Sequence, residues 1–492
     1  MFVFWSVFLG LLAITYFLIY KYVTRNFSFW KNRKIFYIKP TPFFGNLLPV
    51  FTMKTTIGDL IMDFYKRTED DYFGIFVLDR PVLVVRSPKL AKNIMLKDFA
   101  SFHNRVITTS DKDPILSNML FFNKRSMWKV IRAKLTPVFT SGKLKAMLPV
   151  IIQESEALKS YIDGKLLGVP NVETKEVCGK YSTNLIALTA FGVDAKCFEN
   201  ENAEFRAIGK AIWETSFSNA VRQLGSNFFP GLINTFGISF VSGKLIKQMK
   251  SIINSVINTR NQLNQNKGND LIDILRGMDG ANMSNDMILA QAVQFFVAGF
   301  DTISSTMSFT LYELAMNQDI QDKLRLEIKE NLEANHGVTY DGYNEIKYLD
   351  MVISEALRKY PVLPFLEREC TSTYKFEGTD LVVEKGQAVY ISTFGMQYDE
   401  KYFPDPERFD PERFCDKNEI NKEGFYFTPF GEGPRICIGN RYGLMAVKVG
   451  LIAILSRFRV IRSSKTPEKI TFEPKSFLVQ ASGGIPLQFA PL

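Results

Sequence analysis

A single cysteine, Cys437, stands inside Phe430-Gly431-Glu432-Gly433-Pro434-Arg435-Ile436-Cys437-Ile438-Gly439, and this loop constrains the chain more than any other stretch. Its glycines permit sharp turns and let a flat partner approach the backbone without Cβ clashes. An apolar, helix-like run follows, from Ile438 to about Ser456. A lone cysteine is ordinarily a buried, inert hydrophobe. Here the amides that open the following helix, together with Arg435, favour the thiolate, and a thiolate is a ligand for soft or borderline metals. No second cysteine lies within chelating distance, and the chain has only two histidines, His103 and His336. Zinc and iron–sulfur sites need more protein ligands than this loop offers. A metal that arrives with most of its ligands attached needs only one, which points to haem iron.

The other end of the chain sets its location. Met1 to Tyr20 carries no charged side chain and has the length of a bilayer-spanning helix. Lys21, Arg25, Lys31, Arg33, Lys34 and Lys39 follow, with no acid before Asp59, a bias that puts the C-terminal side in the cytoplasm. The segment lacks the basic start and small-residue cleavage site of a signal peptide, so residues 1–20 are expected to stay as a membrane anchor. Residues 21–50 are basic and contain Pro40, Pro42 and Pro49. They are expected to form a stiff hinge that a helix cannot traverse, with residues 51–492 as one large body behind it.

Hydrophobic residues make up 46% of the 492, enough for a large core and too many for a disordered chain. The net charge of +9 is mild, and no basic run is interleaved with aromatics. That excludes a nucleic-acid track and fits an anionic membrane or an acidic protein partner. Five scattered cysteines are no disulfide framework and indicate a reducing compartment. Residues 75–78 and 82–85 read as two short strands around Asp79-Arg80-Pro81. Helix-length patterns dominate from about Pro88, and strand signals return only at residues 381–383 and 388–391. Ser284 is an N-cap candidate for a long apolar helix over residues 285–317. The expected fold is mainly helical with a small β region.

Phe430, Gly433, Arg435, Cys437 and Gly439 meet a pattern Phe-x-x-Gly-x-Arg-x-Cys-x-Gly that resembles the haem-thiolate signature of the cytochromes P-450. Other stretches match that family in order along nearly the whole chain. Trp128 and Arg132 match its Trp-x-x-x-Arg; without the resemblance they read as part of a surface amphipathic helix. Ala298-Gly299-Phe300-Asp301-Thr302 matches the family's motif in the helix over the haem, with Ile303 in place of its second hydroxyl residue and Ser304 after it. Gly299 there would permit close approach to a flat cofactor. Thr302, by itself, could simply bond back to a carbonyl of its own helix. Glu355 and Arg358 match Glu-x-x-Arg, and Arg413 of Pro411-Glu412-Arg413-Phe414 would be their structural third member, although Pro406-Glu407-Arg408-Phe409 is a near-duplicate. Residues 358–364 and 427–435 are similar in particular to insect microsomal members that oxidise foreign and plant-derived lipophilic compounds.

The resemblance implies the P-450 fold, haem b as cofactor, Cys437 as axial thiolate, and Arg105, Trp128, Arg132, Arg368 and Arg435 as partners of the two propionates. Phe430 would shield the sulfur, and Gly439 would lie against the cofactor. Thr302 and Asp301 would deliver protons to bound oxygen. Leu116, Phe121, Phe295, Phe296, Ala298, Val362, Leu363 and Phe477 would line the substrate pocket; singly, each reads equally well as ordinary core. The chain has no Gly-x-Gly-x-x-Gly fingerprint after a strand, so electrons from NADPH would come through a P-450 reductase, with cytochrome b5 as an optional donor. Lys124, Lys129, Lys134 and Lys448 would offer a basic dock. The setting would be the endoplasmic reticulum membrane, with the catalytic body facing the cytoplasm and no nucleic acid involved. Two other classes stay open at this point: a P-450-like isomerase or dehydratase of peroxides, which commonly lacks the distal threonine, and a non-enzymatic haem sensor or carrier, which would leave Asp301 and Thr302 without a task.

Overall fold

The computed structural model describes residues 1–262, 271–276, 284–415 and 424–492. One helix, Asn285–Met316, runs through the centre, and 25 of its residues are buried. Its start is fixed chemically: the Ser284 hydroxyl accepts a hydrogen bond from the Met287 amide at 3.3 Å, which satisfies one of the donors a helix leaves free at its N-terminus. The helix is apolar and long enough to cross a membrane, but most of it is enclosed by the rest of the body. It packs on Thr174–Phe191 and on Asn440–Arg457, two further helices whose side chains are mostly buried on all faces.

The β region differs in detail from the sequence reading. Tyr72–Val77 and Arg80–Val85 form an antiparallel hairpin whose tight turn is Leu78–Asp79, with Val77 opposite Arg80. Pro81 therefore lies inside a strand, at a position beyond the reach of the next strand, which begins pairing at Val82; a missing N–H costs nothing there. Ala388–Ile391 adds in parallel and Leu366–Glu369 closes the sheet in antiparallel fashion. A second sheet joins Phe458–Arg462 to Pro486–Pro491. The strand Leu366–Glu369 and Phe458–Arg462 carry too many charges to read as strands from pattern alone.

The N-terminal helix extends over Phe2–Thr24, slightly past the expected residue 20, and buries nothing in the body. The expected hinge over residues 21–50 is corrected more substantially. Trp30 is wholly buried, and its indole N–H donates to the Ile75 carbonyl at 3.1 Å. A Cβ on Gly74 would stand 2.4 Å from the Trp30 ring, so this strand position must be glycine for the indole to seat. The Ile38 amide donates to Gly74, and the Asn46 side chain bonds the carbonyls of Ile38 and Lys39 while accepting from the Phe76 amide. The prolines do break the helix, but the chain after Ser28 is already part of the sheet's core rather than a spacer.

A buried ionic knot holds the far side. Glu355 and Arg358 have no exposed side-chain surface and pair bidentately at 2.7 and 2.8 Å. Arg358 also donates to the carbonyls of Gln397 and Pro406 at 2.8 Å each. Arg413 approaches the Glu355 carboxylate at 3.4 Å, and the Asp410 amide donates to it at 2.9 Å. The near-duplicate is thereby resolved: Arg408 is exposed and contributes only its carbonyl to Arg358.

Candidate active site

The cysteine loop is held by its own backbone. The Cys437 amide donates to the Phe430 carbonyl at 2.9 Å, and the Ile436 amide to Gly433 at 3.0 Å. Gly433 has φ +72°, and a Cβ there would sit 2.0 Å from the Met95 carbonyl oxygen, so no other residue fits. The helix Asn440–Arg457 begins directly after, and the Gly439 amide donates to the sulfur. Burial pushes the Cys437 thiol up, and the Gly439 amide, Arg132 and Arg105 oppose that rise. This corrects the sequence reading twice. The cations that act on the sulfur are Arg132 and Arg105 rather than Arg435, and burial outweighs them.

The sulfur nonetheless has open surface. Cys437 is exposed although protein encloses it, and Ala298 is exposed in the middle of the buried central helix. A Cβ on Gly439 would meet nothing within 4 Å. From these three observations we infer an internal hollow beside the cysteine. Phe295, Ala298 and Thr302 share the helix face that borders it, being separated by three or four residues; Phe295 and Thr302 are half-buried. Gln291 and Gln294 continue the same face and clamp the loop ahead of Trp128. Gln291 accepts from the Leu120 amide at 3.1 Å and donates to the Asn118 carbonyl at 2.7 Å, while Gln294 accepts from the Phe121 amide at 2.8 Å. Sequence reasoning missed both glutamines; two amides three apart in an apolar helix were the signal.

Arginines crowd the same region. Arg435 donates to the carbonyls of His103, Leu120 and Asn123 and lies 4.3 Å over the Trp128 ring. Arg105 donates to Phe121 and stacks on its ring. Arg132 donates to the Ile436 carbonyl at 2.8 Å. Arg368 donates to Glu367 through one terminal nitrogen, while its buried Nε has no partner. Burial first, then the neighbouring Arg105, Arg368 and Arg132, push Arg435 down to about 8; burial and Arg105 push Arg368 down to about 10. Four guanidiniums with unspent donors, and Glu367 as the buried carboxylate that acts on three of them, leave a site short of anions. A flat group carrying two carboxylates and one metal coordination position fits this donor set. Among the described residues no three His, Cys, Asp or Glu side chains converge, so that metal would bring its own ligands.

Several expectations are redirected. Asp301 does not share the hollow's face. It is buried against the helix Thr174–Phe191 and pairs with Lys175 at 3.2 Å, and its Oδ2 has no partner. The Thr302 hydroxyl donates to the Ala298 carbonyl at 2.8 Å. Gly299 faces Ile186, whose Cδ1 would stand 2.4 Å from an added Cβ; it serves helix packing, not approach to a cofactor. Leu116 and Phe296 have no exposed surface, and the Phe296 ring lies against Phe191, Phe205 and Phe300, so both belong to the core. Phe121 and Phe477 are linked through the rings of Phe122 and Phe240. Val362 and Leu363 are half-buried, and the Val362 carbonyl accepts from Val479. Phe430 packs partly buried against the core. Lys448 is removed from the basic dock, being buried and paired with Asp350 at 2.6 Å. Lys124 is paired with Glu369 at 3.0 Å, and Lys129 is exposed. All five cysteines are unpaired.

The sequence model of the family described as Cytochrome P450 matches residues 37–487. Among curated proteins, the chain is 38% identical over 473 residues to Cytochrome P450 6j1 of Blattella germanica, covering 95% of this chain and 94% of that one. It is 36% identical to Probable cytochrome P450 6g2 of Drosophila melanogaster, covering 94% of each chain. Cytochrome P450 6a2 of the same organism is 35% identical, with 97% and 98% covered.

Proposed function

This chain belongs to the cytochrome P450 family and is a cytochrome P450 monooxygenase; from that premise we propose that it is a haem-thiolate enzyme that inserts one atom of O2 into lipophilic small molecules, foreign or endogenous, with electrons drawn from NADPH through a reductase. The observation that carries the reading is the anion-deficient arginine cluster around a hollow that opens on Cys437 and Ala298. When bound, haem supplies the activation of O2 and the transfer of one oxygen atom. The chain's own residues do the rest. Cys437 would ligate the iron, its charge supported by Arg132, Arg105 and the Gly439 amide. Arg105, Arg132, Arg368 and Arg435 would hold the carboxylates, and Trp128 supports Arg435 from below. Phe295 and Ala298 border the space above and favour an apolar substrate. Thr302 can release the Ala298 carbonyl and turn its hydroxyl into the hollow at the cost of one hydrogen bond, about 1 kcal/mol. Asp301, tied to Lys175, would help relay protons toward it. Turnover of a panel of lipophilic compounds by protein reconstituted with reductase and NADPH tests the reading. NADPH-dependent hydroxylated or epoxidised products are expected; rearranged products formed without NADPH would replace it with the isomerase class.

Thr302→Ala should uncouple the enzyme without stopping it. The variant should bind CO normally and consume NADPH, with several-fold less product per NADPH and more hydrogen peroxide. Ser304 cannot compensate, because it is buried and its hydroxyl is committed to the Asp301 carbonyl at 3.0 Å, and Ile303 carries no hydroxyl. Product per NADPH equal to wild type would remove Thr302 from the reaction.

We read residues 1–20 as an anchor that spans the endoplasmic reticulum membrane and leaves the catalytic body facing the cytoplasm. Removing them should release most of the protein from membranes and leave haem binding intact. Phe217 and Phe236 are 68% and 71% exposed, so some membrane association should persist. Extending the deletion through Asn32 removes Trp30 and should cost about 3–5 kcal/mol of stability. Urea midpoints of the two truncations decide this: equal midpoints would mean that Trp30 does not hold the sheet.

A further inference from the structure

Glu367 is a buried carboxylate that no motif accounts for. It lies on the free edge of the four-stranded sheet, in Leu366–Glu369. That edge starts to pair with the loop ahead of Trp128: Asn104 bridges Glu369, and the Glu369 amide donates to the Asn104 carbonyl at 2.9 Å. Antiparallel register then places Val106 opposite Glu367. The Val106 amide, however, donates to the Glu367 side chain, and the Glu367 carbonyl accepts from Arg368. The carboxylate thus takes over one rung of the ladder and stands between two segments that carry Arg105 and Arg368. It is the carboxylate that acts on Arg105, Arg368 and Arg435 alike, and Lys124 is the remaining cation that acts on it. Among the described residues it makes no ion pair within 4 Å, so it lends charge to the cluster without consuming the guanidinium donors.

We propose that Glu367 is a charge-setting residue of the haem site, which lowers the reduction potential of the bound iron and weakens the cluster's hold on the carboxylates of the cofactor. The inference rests on the haem reading of this site. Reduction adds one negative charge to the centre, and a fixed carboxylate nearby opposes that addition. The same carboxylate repels the cofactor's own carboxylates. Charge, not shape, is the active property, so Glu367→Gln, which keeps an acceptor for the Val106 amide, isolates it.

The test uses the full-length haem-loaded protein and two readouts, the reduction potential and the rate of haem transfer to a competing apoprotein. E367Q should shift the potential positive and slow haem transfer on the order of tenfold. R105Q, which removes a cation, should shift both in the opposite direction, and E367Q/R105Q should fall between the single variants. Where E367Q alone fails to accumulate, the double variant carries the test by its position relative to R105Q. A haem-loaded E367Q with the wild-type potential and transfer rate, or a double variant equal to R105Q, overturns the proposal. Wild-type protein that takes up no haem would instead overturn the haem reading and this inference with it.

Discussion

Cys437→His should abolish the red-shifted Soret band of the reduced CO complex and bring monooxygenase turnover below detection. The loop's backbone bonds, Cys437 to Phe430 and Ile436 to Gly433, do not involve the sulfur, so the loop can keep its shape in the variant. What changes is the donor: a neutral imidazole lacks the charge of a thiolate and cannot donate electron density to the iron in the same way. Haem content should fall only partly, since Arg105, Arg132, Arg368 and Arg435 remain. The discriminating measurement is the CO difference spectrum of haem-loaded variant protein. A band that stays red-shifted would mean that another cysteine is the ligand; Cys178, Cys197 and Cys370 are buried, which argues against all three.

Arg358→Ala should leave too little stability for a folded enzyme. It leaves Glu355, which has no exposed surface, with only Arg413 at 3.4 Å as a cation, and orphans the Gln397 and Pro406 carbonyls. Breaking a buried pair in this way costs about 3–5 kcal/mol, against a total of about 5–15 kcal/mol for a native protein. Arg358→Lys should fail nearly as badly, since one ammonium cannot span two carboxylate oxygens and two carbonyls. Arg408→Ala, at the exposed near-duplicate, should change stability by no more than about 0.5 kcal/mol. Denaturant midpoints and haem-loaded yield report all three; an Arg358→Ala midpoint at the wild-type value would show that the knot contributes nothing.

How much of this was legible in the sequence depended on whether a feature was local. The central helix announced itself through Ser284 and an unbroken apolar run, and the expected 285–317 differs from Asn285–Met316 by one residue. The cysteine loop was legible because its glycines sit where backbone geometry requires them. The hinge was misjudged because prolines report only where helix stops; that Trp30 docks into a space left by Gly74, 44 positions away in sequence, is a tertiary fact. Asp301 and Thr302 were read as one unit because they are adjacent, yet a helix turns about 100° between neighbours, so one meets Lys175 and the other the hollow. Phe296 was misplaced for the same reason, one position from Phe295. Lys448 looked like surface because lysine usually is, and only the packing of Asn440–Arg457 brings it to Asp350. Glu367 was invisible in a strand whose four residues include three charges.

The ionic knot also imposes an order on synthesis. The carbonyl acceptors of Arg358 lie 39, 48 and 50 residues downstream of it. At about 5–20 residues per second, roughly 3–10 s pass between the emergence of the helix Lys347–Lys359 and that of its last acceptor. During that interval the guanidinium must stay in water, so the end of the helix cannot enter the core. Cys437 emerges later still. The cysteine loop therefore emerges onto a chain that already carries every carbonyl acceptor of Arg358.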